Sequence, residues 1–403
     1  MTFFDIIIVG SGPAGSSTAL HLLKNDPALA GKILLLDKAA HPREKICAGG
    51  LIPHALDCLK ELNILLSVPH VRVDRAFVRV PPGHEVFCED GGMCSVVRRD
   101  EFDSSLVRVA QTRGAQVREN EKVLKLARIS GGIQVITEKE SYTAKVVVGA
   151  DGSGSRVRRQ LVSAEDVSVG KAIMCDIPVT DTLWPGFSQH RYDFNFLPVS
   201  QGLKGYLWAF PCLIGDVPHV NVGIYTLGQT RLSSADLKRL LAQEIESQKS
   251  LSPHPQRLTS SPKFHAFPIH GYIPRRPLAA PHVVLVGDAA GAEPLMGEGI
   301  SFALEYGKFA AQAICSALRA RRFDFTNYTI ALAHSQMGKK LTRLYYTAKL
   351  FYGRTAPFWF SLAVRSSRLQ SLGLKWYNGV DGWHERSGWE AVWRVLQPAR
   401  NER

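Results

Sequence analysis

Three glycines near the start of the chain have the spacing that lets a backbone turn approach a phosphate group. They stand at the first, third and sixth places of the hexapeptide Gly10-Ser-Gly-Pro-Ala-Gly15. The first permits a tight turn, the second brings the backbone close to a pyrophosphate, and the third lets the following helix pack against the preceding strand. That helix then directs its positive end at the phosphates. The motif predicts dinucleotide binding, with contacts from Gly10, Gly12, Pro13, Ala14 and Gly15.

The segments on either side of these glycines have the composition of the strands that the motif needs. The run from Asp5 to Val9 is rich in β-branched residues and is typical of a strand buried on both faces. Ile33 to Leu36 predicts a second strand. It ends about 20 residues after the glycines, where a carboxylate can accept hydrogen bonds from ribose hydroxyls. Asp37 and the adjoining Lys38 are therefore candidate cofactor contacts.

Two later motifs favour a flavin over a nicotinamide. Apolar runs lead into Asp151-Gly152 and into Gly287-Asp288, and a carboxylate at the second place can bond the ribityl chain that FAD has and NAD lacks. A helix predicted from Ile300 aims its positive end at the flavin pyrimidine edge and stabilises the anionic reduced ring by about 0.3–2 kcal/mol. Asp151-Gly152 or Gly287-Asp288 alone is typical of an ordinary turn. The order of the two pairs along the chain, after the N-terminal glycines, favours FAD. The predicted contacts are Asp151, Gly152, Gly287, Asp288, Pro294, Gly297, Gly299 and Ile300.

The three motifs together resemble the flavoprotein monooxygenase superfamily of the hydroxybenzoate hydroxylase type. Two further stretches, Pro42 to Leu51 and Tyr206 to Pro211, resemble signatures of the geranylgeranyl reductase family, whose members saturate isoprenoid double bonds with reduced FAD. Val97 to Asp103 is also similar to that family. The resemblance spans roughly residues 5 to 320. It implies flavin contacts from Arg43, Cys47, Ala48, Gly49 and Arg99.

Cys47 is the one candidate catalytic residue. The resemblance places its loop beside the isoalloxazine, where a thiol can donate a proton or tune the flavin. A lone cysteine is otherwise most often an inert small hydrophobe. The family commonly has a glycine where this chain has Ala48. The methyl group of Ala48 is expected to narrow the space through which this loop approaches the flavin.

Three aromatic residues alternate with smaller ones in the second signature. Tyr206, Trp208 and Phe210 fall on one face of a strand because successive side chains point to opposite faces. With the family resemblance, that face predicts an apolar channel for a prenyl chain. Without it, three aromatic residues on a strand are ordinary core.

The resemblance predicts reduction of a prenylated lipid, quinone or tetrapyrrole precursor by hydride transfer to one alkene carbon and proton transfer to the other. Two alternatives stay open: a monooxygenase or halogenase of the same fold, and a non-catalytic FAD-binding redox module. The electron donor is predicted to be NADPH bound transiently, a quinol, or an acidic ferredoxin suited to the basic surface.

Composition narrows the remaining function classes. Seven cysteines without a Cys-x-x-Cys pair favour neither a disulfide framework nor a zinc or iron–sulfur site, and the 13 histidines form no metal-spaced cluster, so no metal is predicted. The N-terminal apolar run is broken by glycine and proline and does not predict a signal peptide, which favours a cytoplasmic protein. No transmembrane helix is predicted.

The net charge of +13 is concentrated near the C-terminus, where twelve Lys and Arg stand against four Asp and Glu from residue 331 onward. Many aromatic residues share this segment. Basic and aromatic residues together predict peripheral contact with an anionic membrane. A helical subdomain with an aromatic core and a solvated basic face is the alternative. Nucleic acid is disfavoured because no recognition motif accompanies the charge.

The motifs and hydrophobic patterns predict an α/β protein with a Rossmann-like FAD-binding domain and a mainly antiparallel β substrate domain. The FAD-binding domain is discontinuous and is expected from residues 1–70, 96–165 and 275–325. The substrate domain is expected from residues 71–95 and 166–274, with a capped helix from Ser233 to Gln248. Residues 326–403 are expected to form a C-terminal helical segment.

Overall fold

The computed structural model describes residues 2–89, 94–163, 169–179, 184–228, 230–250, 263–365 and 370. The strands are β1 Thr2–Val9, β2 Ile33–Leu36, β3 Gly50–Leu51, β4 His70–Val73, β5 Arg75–Val80, β6 His84–Cys88, β7 Cys94–Val97, β8 Gln116–Arg118, β9 Val123–Ile129, β10 Gly132–Thr137, β11 Ser141–Gly149, β12 Val169–Pro178, β13 Arg191–Asn195, β14 Gly205–Ile214, β15 Val217–Thr226, β16 His265–His270, β17 Ala279–Ala280 and β18 Val283–Leu285. The helices are α1 Pro13–Asn25, α2 Pro53–Glu61, α3 Arg99–Thr112, α4 Pro185–Ser188, α5 Ser234–Ser250, α6 Ile300–Ala320, α7 Tyr328–His334, α8 Gln336–Phe351 and α9 Ala356–Arg365.

The first sheet is mainly parallel and has the order β17-β18-β11-β1-β2-β8. Strand β1 lies between β11 and β2 and pairs with both in parallel. Its residues Ile6, Ile7 and Ile8 are fully buried, as expected for a strand covered on both faces. Helices α1 and α6 cross closely on this sheet, and Ser17 Oγ of α1 donates to the Leu304 carbonyl of α6 at 2.6 Å. The glycine turn and the start of α6 are thereby held side by side.

The second sheet has the order β16-β12-β15-β14-β13-β5-β6. Its pairs are antiparallel except that β13 runs parallel to β5, so the sheet is mixed rather than wholly antiparallel. Helix α5 covers one face through Leu237, Leu241 and Ile245, which pack with buried residues of β12, β14 and β15. The cap predicted for this helix is present, because the Ser233 hydroxyl accepts from the Asp236 amide at 3.1 Å.

Aromatic rings cover the opposite face of this second sheet, which we call the aromatic face. The rings lie 5.2–6.3 Å apart between neighbouring centroids and pack mostly edge-on or tilted. Such arrangements are preferred over flat face-to-face pairs because of the ring quadrupole. The aromatic face is formed by Tyr192, Phe194, Phe196, Tyr206, Trp208, Phe210 and Tyr225.

The C-terminal helices pack against the loop before α6 and against the aromatic face. The Tyr352 hydroxyl, just after α8, donates to the Leu295 carbonyl at 3.0 Å, and Phe360 of α9 lies 5.6 Å from the ring of Phe196. A helical C-terminal segment is therefore present as far as Arg365. The tryptophans expected to contribute to its aromatic character, Trp376, Trp383, Trp389 and Trp393, lie outside the described residues. Among the described helices, none is long and apolar enough to cross a membrane.

Candidate functional site

A cavity of about 530 Å³ lies at the carboxyl ends of the parallel strands, where open α/β sheets bind their ligands. Residues of the second sheet, including Ala172 and Phe267, close its other side. Most of the predicted cofactor contacts meet here. The lining includes Gly10, Gly12, Pro13, Ala14, Asp37, Lys38, Arg43, Cys47, Arg99, Asp151, Gly152, Gly287, Asp288, Gly297, Gly299 and Ile300.

Four predicted contacts are absent from the described lining of this cavity: Gly15, Ala48, Gly49 and Pro294. Two of them have packing roles instead. A Cβ on Gly15 would lie 1.9 Å from the Gly10 carbonyl oxygen, so only glycine allows α1 to approach the turn. Gly49 has a φ of +80°, and a Cβ there would lie 1.9 Å from the Val97 carbonyl oxygen.

Asp37 stands at the end of β2 in a network of donors. Its Oδ2 accepts from the Ser11 amide at 3.0 Å and from the Ser11 hydroxyl at 2.7 Å, and lies 3.4 Å from Nε of Arg43. Burial alone raises the pKa of this carboxyl, but Arg43 and the Ser11 hydrogen bonds outweigh burial and hold the pKa below its ordinary value. Asp37 is therefore a charged acceptor at neutral pH, as ribose recognition requires.

Two guanidinium groups are held at the cavity by one buried carboxylate. Asp103 accepts a bidentate pair from Arg99, at 2.7 and 2.9 Å, and its Oδ2 lies 3.5 Å from Nη2 of Arg43. Burial disfavours the charge on Arg99, but Asp103 more than compensates and raises its pKa. The arrangement presents fixed positive charge to the cavity, which suits a diphosphate.

Cys47 lies where the cavity meets the aromatic face. Its Sγ accepts from the Gly49 amide at 3.4 Å, and the thiol also interacts with Arg99. Three residues later, a Cβ on Gly50 would lie 3.3 Å from Cε2 of Phe210. The loop Cys47–Gly50 therefore separates the cavity from the aromatic rings.

Lys45 is a functional candidate that is not among the contacts predicted from the sequence. It lines the cavity, and its ammonium lies 3.0 Å from the ring centroid of Phe267. Burial lowers the pKa of Lys45 to about 8 even though Asp288 favours its charge. Within the described part of the chain, no carboxylate forms an ion pair with it. The sequence signal for Lys45 is its place in the loop from Arg43 to Cys47, where the family resemblance implies flavin contacts, whereas Phe267 is distant in the chain.

The start of α6 forms the other end of the cavity. Gly299 is its N-cap residue and makes no side-chain cap, and the first turn holds no acidic residue. The carboxylate of Glu298, just before the helix, nevertheless accepts from the Ser301 amide at 3.0 Å, so one amide at this positive end is already paired. The predicted contact of the helix end with an electron-rich ring edge stays a prediction. Asp288 lies beside the helix end and accepts from the Ser153 hydroxyl at 3.3 Å.

These residues fit FAD. The glycine turn leaves room for a pyrophosphate, the two guanidiniums and the unpaired ammonium offer positive charge, and Asp37 and Asp288 offer acceptors for ribose and ribityl hydroxyls. The family profile described as "FAD binding domain" matches residues 4–322. The chain belongs to this FAD-binding family. It is an FAD-dependent oxidoreductase with geranylgeranyl reductases among its relatives, as the sequence predicts.

Two curated relatives match over most of their length. The chain is 28% identical to the menaquinone reductase of Mycolicibacterium smegmatis, covering 97% of this chain and 95% of that protein. It is 29% identical to the geranylgeranyl diphosphate reductase of Rhodobacter capsulatus, covering 79% of this chain and 76% of that protein.

Solved structures share the fold. A geranylgeranyl bacteriochlorophyll reductase-like protein from Thermoplasma acidophilum superposes with a TM-score of 0.77 at 21% identity and covers 98% of this chain and 100% of its own. The flavin-dependent brominase Bmp2 superposes with a TM-score of 0.71 at 18% identity over 98% of both chains. At these identities the structures establish the fold alone.

The three predicted substrate residues lie together on the aromatic face, and none of them is among the described residues that line the cavity. Tyr206 donates its hydroxyl to the Met296 carbonyl of the loop before α6. The indole of Trp208 lies over Gly223, and its Nε1 donates to Oδ1 of Asn221 at 2.7 Å. Phe210 contacts the Cys47–Gly50 loop through Gly50. Their role in substrate binding stays a prediction.

Proposed function

We propose that this oxidoreductase saturates isoprenoid double bonds, with reduced FAD as the hydride source. The observation that supports it best is the position of the aromatic face. It is separated from the FAD cavity by the thin Cys47–Gly50 loop and by the loop before α6, both of which contact its rings. An apolar polyprenyl chain against these rings would lie next to the flavin end of the cavity.

The residues of this chain have separable tasks in that reaction. Asp37, Arg43 and Arg99 hold the cofactor by hydrogen bonds and charge. When bound, FAD supplies a hydride to one alkene carbon. With FAD bound, the start of α6 would favour negative charge on the reduced ring. The aromatic face excludes water and holds the chain in place, because an isolated alkene offers no polar group for orientation.

The substrate class that we propose is a prenylated quinone or lipid. An alkene of such a chain is electron-rich and has no carbonyl to absorb the charge of a hydride. Aromatic ring faces stabilise positive charge that develops on carbon during proton transfer. The two curated relatives described above carry reductase names that refer to a prenylquinone and to an isoprenoid diphosphate.

The deciding experiment is anaerobic. The flavin of the FAD-loaded protein is reduced chemically and mixed with geranylgeranyl lipids or prenylquinones, and reoxidation is followed by absorbance and by mass spectrometry of the lipid. We expect reoxidation with a gain of two hydrogens for each reduced double bond. The fully saturated lipid with the same headgroup is the matched control. Reoxidation only after oxygen is admitted, with hydroxylated or halogenated product, would contradict the proposal and favour the monooxygenase alternative.

The electron donor is a separate proposal. NADPH or a quinol delivers two electrons at once, whereas an acidic ferredoxin would deliver them one at a time, and the net charge of +13 favours attraction of such an acidic protein. Stopped-flow reduction of the bound FAD by each donor tests this. A ferredoxin reaction is expected to slow steeply as ionic strength rises, whereas reduction by a neutral quinol is not.

We also propose peripheral membrane contact through α8 and α9. Tyr346, Leu350 and Phe358 are 57, 45 and 63% exposed, and the exposed Lys349 and Arg354 lie among them. Apolar rings beside cations suit an anionic bilayer surface. We expect the protein to sediment with phosphatidylglycerol vesicles. The bound fraction should fall as salt is added and in the Lys349→Glu variant. Equal sedimentation with neutral vesicles would contradict an electrostatic contribution.

A further inference from the structure

The hydroxyl of Tyr225 is buried without a hydrogen-bond partner. Only 2% of the residue is exposed, and the phenol oxygen has no partner among the described residues. Buried polar groups are nearly always paired, so an unpaired one calls for a ligand or a functional reason. The ordinary reason for a buried tyrosine, a bond to a nearby carbonyl, does not apply here.

Tyr225 lies at the junction of the FAD cavity and the aromatic face. On the second sheet it pairs with Ala172 on one side and with Tyr206 on the other. A Cβ on Gly297 would lie 3.2 Å from Cε2 of Tyr225. Ala172 and Gly297 line the cavity. The phenol of Tyr225 therefore lies between the end of the cavity formed by the start of α6 and the other rings of the aromatic face.

Two neighbouring tyrosines differ from Tyr225 in one respect. The Tyr206 hydroxyl donates to the Met296 carbonyl, and the Tyr352 hydroxyl donates to the Leu295 carbonyl at 3.0 Å. The hydroxyl protons of Tyr206 and Tyr352 are thus used in hydrogen bonds to the loop before α6. The proton of Tyr225 is not committed to any described group, although its ring packs against the same loop.

We propose that Tyr225 is the acid that gives the second hydrogen to the alkene. This role rests on the proposed function. The π bond of the alkene breaks, one carbon takes a hydride and its two electrons from reduced FAD, and the other carbon takes the proton of the Tyr225 O–H bond. FAD is thereby oxidised and the alkene reduced. The phenolate that remains takes a proton from water before the next turnover.

The surroundings of Tyr225 keep this proton in place until it is needed. Burial raises the pKa of the phenol well above its ordinary value, and the negative charges of Glu293 and Asp288 act in the same direction. The hydroxyl is therefore protonated throughout the working pH range. The ring of Tyr206 lies 5.6 Å from that of Tyr225, and aromatic faces stabilise positive charge that develops on the protonated carbon.

The test compares Tyr225→Phe with the wild-type protein in the anaerobic reoxidation experiment. Loss of a general acid typically slows the step by about 100-fold or more, and we expect a reduction of that size. The variant should keep the same FAD dissociation constant, flavin spectrum and midpoint potential. The pH profile of the residual rate should be unchanged in shape, because Tyr225 does not titrate in the working range.

Tyr352→Phe is the matched control, since it removes another buried hydroxyl that contacts the same loop, through the Leu295 carbonyl. We expect its reoxidation rate to stay within about twofold of the wild-type rate. Wild-type reoxidation by Tyr225→Phe would overturn the proposal, and so would a shift in its flavin spectrum or potential, which would assign the hydroxyl to the cofactor. If no alkene reoxidises the wild-type flavin, the proposed function itself fails, and the proton-donor role fails with it.

Discussion

The FAD cavity and the aromatic face lie next to each other but are held together by different forces. The cavity is organised by charge, in a chain of ion pairs that links Asp37, Arg43, Asp103 and Arg99 at 2.7–3.5 Å. The aromatic face is organised by ring packing, with few polar groups. A charged ligand can be recognised through fixed charges and backbone amides, whereas a featureless hydrocarbon is recognised only through shape. Substitutions in the cavity should therefore weaken FAD binding, whereas substitutions on the aromatic face should weaken substrate reduction.

The largest effect is expected from Gly15→Ala on the cavity side. The new Cβ would lie 1.9 Å from the Gly10 carbonyl oxygen, so the turn and α1 must separate. We expect loss of FAD binding and a fall in unfolding free energy of about 3 kcal/mol, by analogy with overpacked cores. Gly271→Ala is the control, because Gly271 is not among the described residues that line the cavity and a Cβ there would lie 3.8 Å from Cβ of Pro294, an ordinary contact. FAD titration and urea denaturation measure both effects, and normal FAD affinity in Gly15→Ala would contradict the packing argument.

On the aromatic side, Gly223→Ala should damage substrate reduction while FAD binding is kept. Its Cβ would lie 2.1 Å from Cζ2 of Trp208, so the indole must move and its bond to Asn221 is lost. We expect a loss of about 1–3 kcal/mol in unfolding free energy. Intrinsic tryptophan fluorescence, FAD affinity and the reoxidation rate are the measurements. A large loss of FAD affinity in this variant would show that the two regions are not separable.

Asp37→Asn tests the contribution of charge on the cavity side. The variant loses the ion pair with Arg43 and the charged acceptor for ribose, and FAD binding should weaken by about 2 kcal/mol. Because the pKa of Asp37 is held below its ordinary value, its contribution is present at neutral pH and is lost only as pH falls through that lowered pKa. Asp5→Asn is the matched control, since Asp5 pairs with Lys145 away from the cavity. Equal FAD affinity in the two variants would contradict the assignment.

The smallest expected effect is the contribution of Lys45 to the pH dependence of the unfolding free energy. Its pKa is lowered to about 8 in the folded protein and returns to about 10.4 on unfolding, so burial of its charge disfavours folding below pH 8. The unfolding free energy of FAD-free protein should therefore rise as pH increases from about 8 to about 10. Lys45→Met should lose this rise, whereas the exposed Lys32→Met should keep it. Urea denaturation across this pH range measures the difference, and identical curves for all three proteins would contradict it.

Most cofactor contacts predicted from the sequence line one cavity, and their signals are local. Gly10 to Gly15, Asp37, Asp288 and the start of α6 each depend on a short segment whose backbone geometry follows from the residue types. The prediction of a mainly antiparallel second sheet is confirmed, since every strand pair in it except β13 with β5 is antiparallel. The parallel pairing of β13 with β5 was not predicted, because the segments are far apart in sequence and no local pattern encodes their direction.

The residues that the sequence alone did not reveal depend on distant neighbours. Lys45 became a candidate only because Phe267 buries it, and Tyr225 only because its hydroxyl lacks the carbonyl that Tyr206 and Tyr352 find. Composition of the C-terminal segment predicted helices and basic charge, but not that Tyr352 would hold the loop before α6.

The sequence by itself determined that this protein has an FAD-binding fold, because that property follows from local motifs in which spacing fixes geometry, and its resemblance to the geranylgeranyl reductase family implied the rest of the architecture. The tertiary structure decided which polar groups are buried, which are paired and which face the cavity. Burial and pairing are properties of surroundings rather than of residues, since the same tyrosine is structural beside a free carbonyl and available for chemistry without one. That distinction separates Tyr225 from its neighbours.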